Sequence, residues 1–316
     1  MKKILILSGK GGTGKTTISS AFIEFSKTNF FADCDVDAPN LHLIVDLEKE
    51  PKKREFYGLP KAKINKEKCI ECGKCKELCK FNAVKHINNK YIIDQYACEG
   101  CQVCKLKCPT NAIEIEDDIS GDLMIYEEDK IFSTAKLKMG RGNSGKLVTE
   151  VKEQLYRNVD KFKNNEENEY NKNKLNIKEN KEKLKFNNLQ NKISIIDGSP
   201  GIGCPVIASI SGVDFVLIVA EPSLSGISDM KRIIETVKKF RIKLAVCVNK
   251  YDICIENTKK IEEYCKDNNI KFVGKISYDP NIQKNINEGK NITQTKSISK
   301  KEVIEIYNNV INLLRC

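Results

Sequence analysis

The fold is decided by the segment Ile4-Leu5-Ile6-Leu7-Ser8-Gly9-Lys10-Gly11-Gly12-Thr13-Gly14-Lys15-Thr16-Thr17. Its apolar first half predicts a buried parallel strand over Lys3–Ser8, and the residues from Gly14 to Lys27 predict the following helix. Between them stands the pattern GxxxxGK[ST], in which glycines let backbone N–H groups converge on phosphates at a helix N-terminus. The segment therefore predicts a phosphate-binding loop (P-loop) between a strand and a helix.

The loop itself supplies most of the candidate nucleotide-binding residues. Lys15 is expected to bridge the β- and γ-phosphates, and the Thr16 hydroxyl is expected to ligate Mg²⁺. The full predicted set is Gly9, Lys10, Gly11, Gly12, Thr13, Gly14, Lys15, Thr16 and Thr17. We therefore predict that the chain binds a nucleoside triphosphate together with Mg²⁺.

An alternating strand and helix pattern returns in the last third of the chain. The predicted strands are Ile193–Ile196, Phe215–Ala220, Leu244–Val248 and Phe272–Ile276. The predicted helices lie near Ser225–Phe240, Asn257–Asp267 and Lys301–Leu314, with an earlier one at Lys146–Tyr156. Such alternation is typical of an α/β fold with a doubly wound, mainly parallel P-loop sheet.

Eight of the fourteen cysteines form two runs with the same spacing. Each run reads C-x2-C-x2-C-x3-C, the bacterial ferredoxin spacing, in which the fourth cysteine ligates the other cluster. One [4Fe–4S] cluster is then expected on Cys69, Cys72, Cys75 and Cys108, and a second on Cys98, Cys101, Cys104 and Cys79. Zinc also binds thiolates, but zinc sites rarely need this spacing in duplicate.

The cysteine runs lie in an internal repeat, Ile64–His86 and Ile93–Glu116, which predicts an inserted α+β ferredoxin-type domain. Lys80 stands where the second run has Pro109, a change that is expected to raise the potential of the neighbouring cluster. The predicted division is a P-loop domain over 1–60, 119–157 and 193–316, the ferredoxin-type domain over 61–118, and an Asn/Lys-rich insertion over 158–192.

The sequence Lys10–Thr17, KGGTGKTT, resembles the deviant Walker A motif of the MinD, ParA, Mrp and nitrogenase iron protein families. The resemblance implies an ATP-sandwich homodimer in which Lys10 contacts the nucleotide of the opposite subunit. The segment Asp33–Leu41 resembles switch I of these families, and Ile195–Gly201 resembles Walker B and switch II.

By the same resemblance, Asp35 positions the attacking water and Asp197 holds the Mg²⁺ shell. The implied catalytic residues are Lys10, Lys15 and Asp35. For the base, Asn249 matches the base-contacting asparagine of the MinD-like families. However, Asn249-Lys250-Tyr251-Asp252 is also the NKxD pattern of GTPases, in which the aspartate reads guanine. Lys10 favours ATP, so Asn249 and Asp252 are candidate contacts to adenine.

Nearly the whole chain resembles MinD-superfamily ATPases with an inserted ferredoxin domain. The resemblance implies an ATP-hydrolysing electron carrier that serves an unidentified redox partner. The alternative is an iron–sulfur or metallocofactor assembly ATPase of the Mrp type, although the usual CxxC near the C-terminus is absent. A MinD-like positioning ATPase is a third candidate. Cys204 lies seven residues past Asp197, where the nitrogenase iron protein carries a cluster ligand. No counterpart of that family's second ligand is present, so a buried structural cysteine is the favoured interpretation.

The composition excludes several other classes of protein. The net charge of +11 is spread thinly, without an arginine-rich or aromatic patch, so nucleic acid is not an expected partner. No run of about 18 apolar residues is present, so no membrane span is expected. Clustered cysteines favour metal ligation in a reducing compartment, which predicts a cytoplasmic protein.

Overall fold

The computed structural model describes residues 1–172 and 193–315. The strands are β1 (Lys2–Ser8), β2 (Phe30–Asp33), β3 (Lys52–Tyr57), β4 (Lys61–Ile64), β5 (Val84–Ile87), β6 (Lys90–Ile93), β7 (Ile113–Glu116), β8 (Ile119–Glu127), β9 (Ile131–Leu137), β10 (Ile193–Asp197), β11 (Phe215–Ala220), β12 (Lys243–Asn249) and β13 (Lys271–Ile276). The helices are α1 (Lys15–Ser26), α2 (Lys74–Leu78), α3 (Val103–Leu106), α4 (Ser144–Lys172), α5 (Cys204–Ile210), α6 (Leu224–Lys239), α7 (Ile255–Asp267), α8 (Pro280–Asn287) and α9 (Ile298–Arg315).

The chain forms two compact units. The first unit consists of Met1–Lys53, Leu123–Ala135 and Ser144–Cys316, and the second of Arg54–Asp122 and Lys136–Asn143. Unit boundaries fall within β3, β8 and β9.

A nine-stranded sheet has the order β13-β12-β11-β1-β10-β2-β9-β8-β3. The strands from β13 to β9 in this order all pair in parallel, which confirms the predicted mainly parallel sheet. The central strand β1 is fully buried from Ile4 to Leu7, as expected for a strand covered on both faces. In the parallel register Asp197 lies beside Asp33, so the carboxyl ends of β10 and β2 bring two aspartates together.

Helix α4 is longer than the predicted helix Lys146–Tyr156. Val159 is buried, and the Phe162 ring lies 5.7 Å from the Phe30 ring, so the apolar face of the helix continues past Tyr156. The helix reaches Lys172, inside the predicted Asn/Lys-rich insertion 158–192, whose residues 173–192 lie outside the described part of the chain. β3, α5 and α8 are among the described elements that were not predicted.

The last helix, α9, packs its apolar face against the sheet. Val303, Ile306 and Val310 are fully buried, and the Tyr307 ring meets Phe22 of α1 edge to face at 5.2 Å. Gly274 of β13 has a φ of +142°, and a Cβ there would lie 2.7 Å from Ile306. Over residues 1–172 and 193–315, no helix is both long and apolar enough to cross a membrane.

The second unit is built on an internal two-fold repeat. Strand β4 pairs antiparallel with β7, and β5 pairs antiparallel with β6. The elements β4, α2 and β5 recur 29 residues later as β6, α3 and β7. The first set begins at Lys61, Lys74 and Val84, and the second begins at Lys90, Val103 and Ile113. Its small core contains Ala62, Ala83, Cys98 and Ile113.

Candidate active site and candidate metal centre

The predicted P-loop lies between β1 and α1 and is shaped by its glycines. Gly12 and Gly14 adopt φ values of +80° and +87°, which disfavour any side chain. A Cβ at Gly14 would also lie 2.3 Å from the Asn249 amide, whereas a Cβ at Gly11 or Gly12 would meet nothing within 4 Å. The Thr13 hydroxyl is buried without a hydrogen-bond partner in the part of the chain that the structure describes. The open space and the unsatisfied hydroxyl fit a phosphate group.

The loop lysine lies against the aspartate at the end of β10. Lys15 Nζ is 2.9 Å from Asp197 Oδ1 and 4.0 Å from Asp35 Oδ2. The Thr16 hydroxyl donates to Asp197 Oδ2 at 2.7 Å, and the Ser19 hydroxyl donates to Oδ1 at 2.7 Å. Asp197 is fully buried. Three of the predicted site residues, Lys15, Thr16 and Asp197, are therefore brought together.

The site concentrates negative charge around this lysine. Burial, together with the charge of Asp197, raises the pKa of Asp33 to about 7, although Lys15 acts in the opposite direction. Burial also raises the pKa of Asp35 to about 6, again against the effect of Lys15. Burial would lower the pKa of Lys15, but the carboxylates of Asp197, Asp33 and Asp35 outweigh it and leave a raised pKa. Lys15 is therefore the cation that these three carboxyl groups share.

Lys10, the additional lysine of the loop, is held within its own chain. Its Nζ is 3.0 Å from Glu221 Oε2 and 3.3 Å from the Ser223 hydroxyl, and the side chain is 38% exposed. Glu221 also accepts from Lys250 Nζ at 2.8 Å, and this ammonium donates to the Gly12 carbonyl at 3.1 Å. Charged hydrogen bonds to both lysines depress the pKa of Glu221 against the opposing effect of burial.

The two predicted base contacts have different surroundings. Asn249 donates its amide to the Thr13 carbonyl at 2.7 Å and so lies beside the P-loop. Asp252 accepts a hydrogen bond from the Tyr278 backbone N–H at 2.7 Å. One carboxylate oxygen of Asp252 is therefore already occupied within the protein.

Four residues of this network were missed from the sequence: Ser19, Asp33, Glu221 and Lys250. Asp33 accepts from the backbone N–H groups of Asn40 and Leu41, each at 3.0 Å, which stabilises the predicted switch I segment. A signal was available for two of them. Asp33 and Glu221 lie at the carboxyl ends of predicted strands, where α/β sheets place their ligand-binding residues.

In the second unit, one cavity is lined by four cysteines: Cys69, Cys72, Cys75 and Cys108. These are the four residues predicted for the first cluster, including the one contributed by the second run. Ile64, Ile113 and Pro109 also line the cavity, so its surroundings are largely apolar.

The remaining predicted ligands repeat part of this arrangement. Cys98 belongs to the small core of this unit, and Cys79 and Cys104 pack against that core. The fourth cysteine of each run accepts an equivalent backbone hydrogen bond: Ala83 N–H donates to Cys79 Sγ at 3.4 Å, and Ala112 N–H donates to Cys108 Sγ at 3.3 Å. In the two described segments, no three His, Cys, Asp or Glu side chains are grouped tightly enough to hold a single metal ion.

The other cysteines are dispersed. Cys204 is exposed at the start of α5, and a Cβ at Gly145 would lie 3.1 Å from its Cβ. The prediction of a buried structural cysteine is therefore wrong for Cys204. Cys34, Cys247 and Cys265 are buried. Burial raises the pKa of Cys34 and of Cys247 to about 12, which keeps both thiols protonated near neutral pH.

Comparison with known proteins identifies relatives of both parts. Residues 4–292 match the family described as the CobQ/CobB/MinD/ParA nucleotide binding domain. An uncharacterized protein of Methanocaldococcus jannaschii is 33% identical over 253 residues, which cover 78% of this chain and 78% of that protein. An uncharacterized ferredoxin of the same organism is 40% identical over 57 residues, 17% of this chain and 74% of the ferredoxin.

Among solved structures, the cell division ATPase MinD of Pyrococcus furiosus aligns with a TM-score of 0.52 and 15% sequence identity, covering 99% of both chains. At this identity the similarity shows the fold alone. The fold is the α/β P-loop fold with a mostly parallel central sheet.

Proposed function

The chain belongs to the CobQ/CobB/MinD/ParA nucleotide-binding family, and from this premise we propose that it is a Mg²⁺-dependent ATPase that couples nucleotide state to electron transfer through two [4Fe–4S] clusters. One observation carries the proposal. The same chain places Lys15 and Thr16 on a buried Asp197 and lines a single cavity with four cysteines.

The residues of the first unit suit phosphoryl transfer to water. Lys15 would neutralise charge on the β- and γ-phosphates, and Thr16 with Asp197 would hold Mg²⁺, which offsets charge on the same oxygens. Asp35 lies near the lysine and is less buried than Asp33, so its carboxylate is free to orient water. Catalysis would then consist of positioning and electrostatic stabilisation.

Lys10 supports assembly of a homodimer across the nucleotide. Its ammonium is partly exposed, and its partner Glu221 is also bound by Lys250. If Lys10 left this half-buried pair to contact a partner's phosphate, Glu221 would keep its ion pair with Lys250 and would not be left without a cation. Lys10 would thus be available to the second subunit when ATP is bound.

Adenine is the proposed base. Asn249 lies beside the P-loop, but Asp252 already accepts the Tyr278 N–H. A carboxylate that reads guanine must accept two hydrogen bonds from the base, which competes with this internal bond. The geometry therefore favours ATP over GTP.

The donor set of the second unit fits a cluster better than zinc. A structural zinc ion needs four ligands converging at about 2.3 Å from one point. The cysteines here instead line one largely apolar cavity, and the two runs carry the ferredoxin spacing in duplicate. Similarity to a ferredoxin over 57 residues supports the same choice. Bound clusters would supply one-electron transfer.

Coupling is supported by the order of the chain and by contacts between the two switch segments. The residues 61–118 that we assign to the ferredoxin-type domain lie between Asp35 and Asp197 in sequence. Within the first unit, Cys34 N–H donates to the Asp197 carbonyl at 2.7 Å, and the Ser199 hydroxyl donates to the Cys34 carbonyl. A change at the γ-phosphate would therefore act on both segments at once.

The test is anaerobic reconstitution followed by iron, sulfide and ATPase assays on one sample. The proposal expects about eight iron atoms per chain and hydrolysis of ATP that requires Mg²⁺. Protein that hydrolyses ATP but binds one zinc ion per four cysteines would contradict the redox part. Protein that transfers its clusters intact to an apo-protein would favour the assembly function instead.

A further inference from the structure

The two cysteine runs have the same spacing, but their surroundings differ at one lysine. Lys61 opens β4, and Lys90 stands 29 residues later at the start of β6, so the two lysines occupy the same position of the repeat. Lys61 is 8% exposed and donates its ammonium to the Cys98 carbonyl. Lys90 is exposed to solvent. The two equivalent lysines therefore carry the same charge, but only the charge of Lys61 is buried.

The asymmetry arises from the chain that precedes each lysine. Lys90 follows the two-residue turn Asn88-Asn89, whose φ values of +50° and +56° are typical of a tight hairpin between β5 and β6. Lys61 instead follows Pro60, whose carbonyl packs against the second cysteine run: a Cβ at Gly100 would lie 2.1 Å from Pro60 O.

The equivalent position of the first run confirms this difference. Glu71 corresponds to Gly100 and has a similar φ, +56° against +63°. Glu71 is exposed to solvent and carries a full side chain at this position, whereas a Cβ at Gly100 would meet Pro60. Its carboxylate instead accepts the Tyr91 N–H at 3.0 Å.

We propose that the buried Lys61 ammonium raises the reduction potential of the cluster held by Cys98 and so makes the two clusters unequal. This inference rests on the proposed pair of [4Fe–4S] clusters. Reduction adds one negative charge to a cluster, and a nearby cation stabilises that charge. A buried cation acts more strongly than an exposed one because the local dielectric constant is lower.

Other charges near Cys98 do not reverse the effect. Glu99 follows Cys98 where the first run has the apolar Ile70, but its carboxylate is exposed and screened by water. Lys80, next to Cys79, is also exposed and has the same sign as Lys61. Lys61 thus acts on the cluster through its charge, which its bond to the Cys98 carbonyl holds in place, and it ligates no iron. An added electron would reside mainly on the second cluster.

The test compares Lys61→Met with the matched control Lys90→Met in reconstituted full-length protein. Both potentials are measured by redox titration with EPR detection, after iron and sulfide assays have verified two clusters per chain. Lys61→Met should lower one of the two reduction potentials by about 59 mV, which corresponds to a tenfold change in the equilibrium constant of a one-electron reduction. Lys90→Met should leave both unchanged.

Lys61→Gln separates charge from hydrogen bonding and covers the case in which Lys61→Met fails to fold. Glutamine can still donate to the Cys98 carbonyl but carries no charge, so it should lower the same potential. Unchanged potentials in either folded Lys61 variant, or an equal shift in Lys90→Met, would overturn the inference. Wild-type protein that forms no clusters at all would instead contradict the proposed function.

Discussion

Lys15 Nζ lies 2.9 Å from Asp197 Oδ1, and the carboxylate that it contacts has no exposure to solvent. The pair joins the P-loop to the carboxyl end of β10, the strand next to β1. Asp33 and Asp35 lie close enough for their charges to act on the same ammonium. Lys15 therefore neutralises a buried acidic site and is also placed to bind phosphate.

Lys15→Ala should abolish ATP hydrolysis because no other ammonium in the described chain lies on Asp197. It should also destabilise the first unit by about 3–5 kcal/mol, the usual cost of leaving a buried charge without its partner. The visible absorbance of the clusters should persist, since their ligands belong to the second unit. Steady-state turnover and the absorption spectrum of one preparation check both statements. Joint loss of turnover and absorbance would show that the two functions are not separable.

Cys108→Ala should remove one cluster and leave the other. Cys108 lines the cavity of Cys69, Cys72 and Cys75 although it belongs to the second run. Iron content should fall from about eight to about four atoms per chain. Cys254→Ala is the matched control, because Cys254 lies in the first unit, just before α7, and has no ligand spacing. Equal iron in Cys108→Ala and wild type would contradict the crossed ligation.

These ligands illustrate what could be predicted from sequence. The apolar runs of β1, β11 and β12 and the spacing of the cysteines are local patterns, so the strands and the four-cysteine set followed from them. The burial of Lys61 was not predictable in this way. Lys61 and Lys90 are the same residue type at the same repeat position, and only the packing of Pro60 against Gly100 separates them.

The ion pairs around the P-loop could not be predicted from sequence for the same reason. Glu221 directly follows β11 and is far from Lys10 in sequence, and their ion pair depends on the parallel pairing of β1 and β11. Helix α4 extends past its predicted end at Tyr156 for a related reason. Val159 and Phe162 are isolated apolar residues in a polar stretch, and their contacts with the core became visible only in the fold.

Asp252→Ala should leave the preference for ATP over GTP unchanged. Its carboxylate accepts the Tyr278 N–H, so the substitution removes an internal hydrogen bond rather than a contact to the base. We expect a loss of stability of about 1 kcal/mol and ATP turnover within about twofold of wild type. Competition between the two nucleotides measures the preference. GTP turnover that exceeds ATP turnover in wild type and collapses in Asp252→Ala would show that Asp252 reads guanine.

Lys152→Met should change how stability depends on pH. Lys152 donates to the carbonyls of Ala208, Ser209 and Ser211 at the end of α5, and burial lowers its pKa to about 8. Between pH 8 and the unfolded pKa near 10.5, the unfolded chain binds more protons at this site. Stability from this group therefore rises with pH across that window, by about 3 kcal/mol in total.

The check for Lys152 is the difference in thermal midpoint between wild type and Lys152→Met at pH 7.5 and pH 10. The thermal midpoint of wild type should rise relative to that of the variant as the pH increases, whatever the variant's stability at pH 7.5. A difference that stays constant, or that moves against wild type, would mean that Lys152 keeps its ordinary pKa in the fold.

Coupling between ATP and the clusters must be reciprocal, because it is one free energy shared by two sites. If Mg²⁺-ATP shifts a potential by about 59 mV, the affinity for ATP must differ tenfold between oxidised and reduced protein. The most direct test is a redox titration of the clusters with and without Mg²⁺-ATP, in wild type and in Lys15→Ala. We expect a shift in wild type that is absent from Lys15→Ala. Identical potentials in wild type with and without Mg²⁺-ATP, in protein that carries both clusters and hydrolyses ATP, would contradict it.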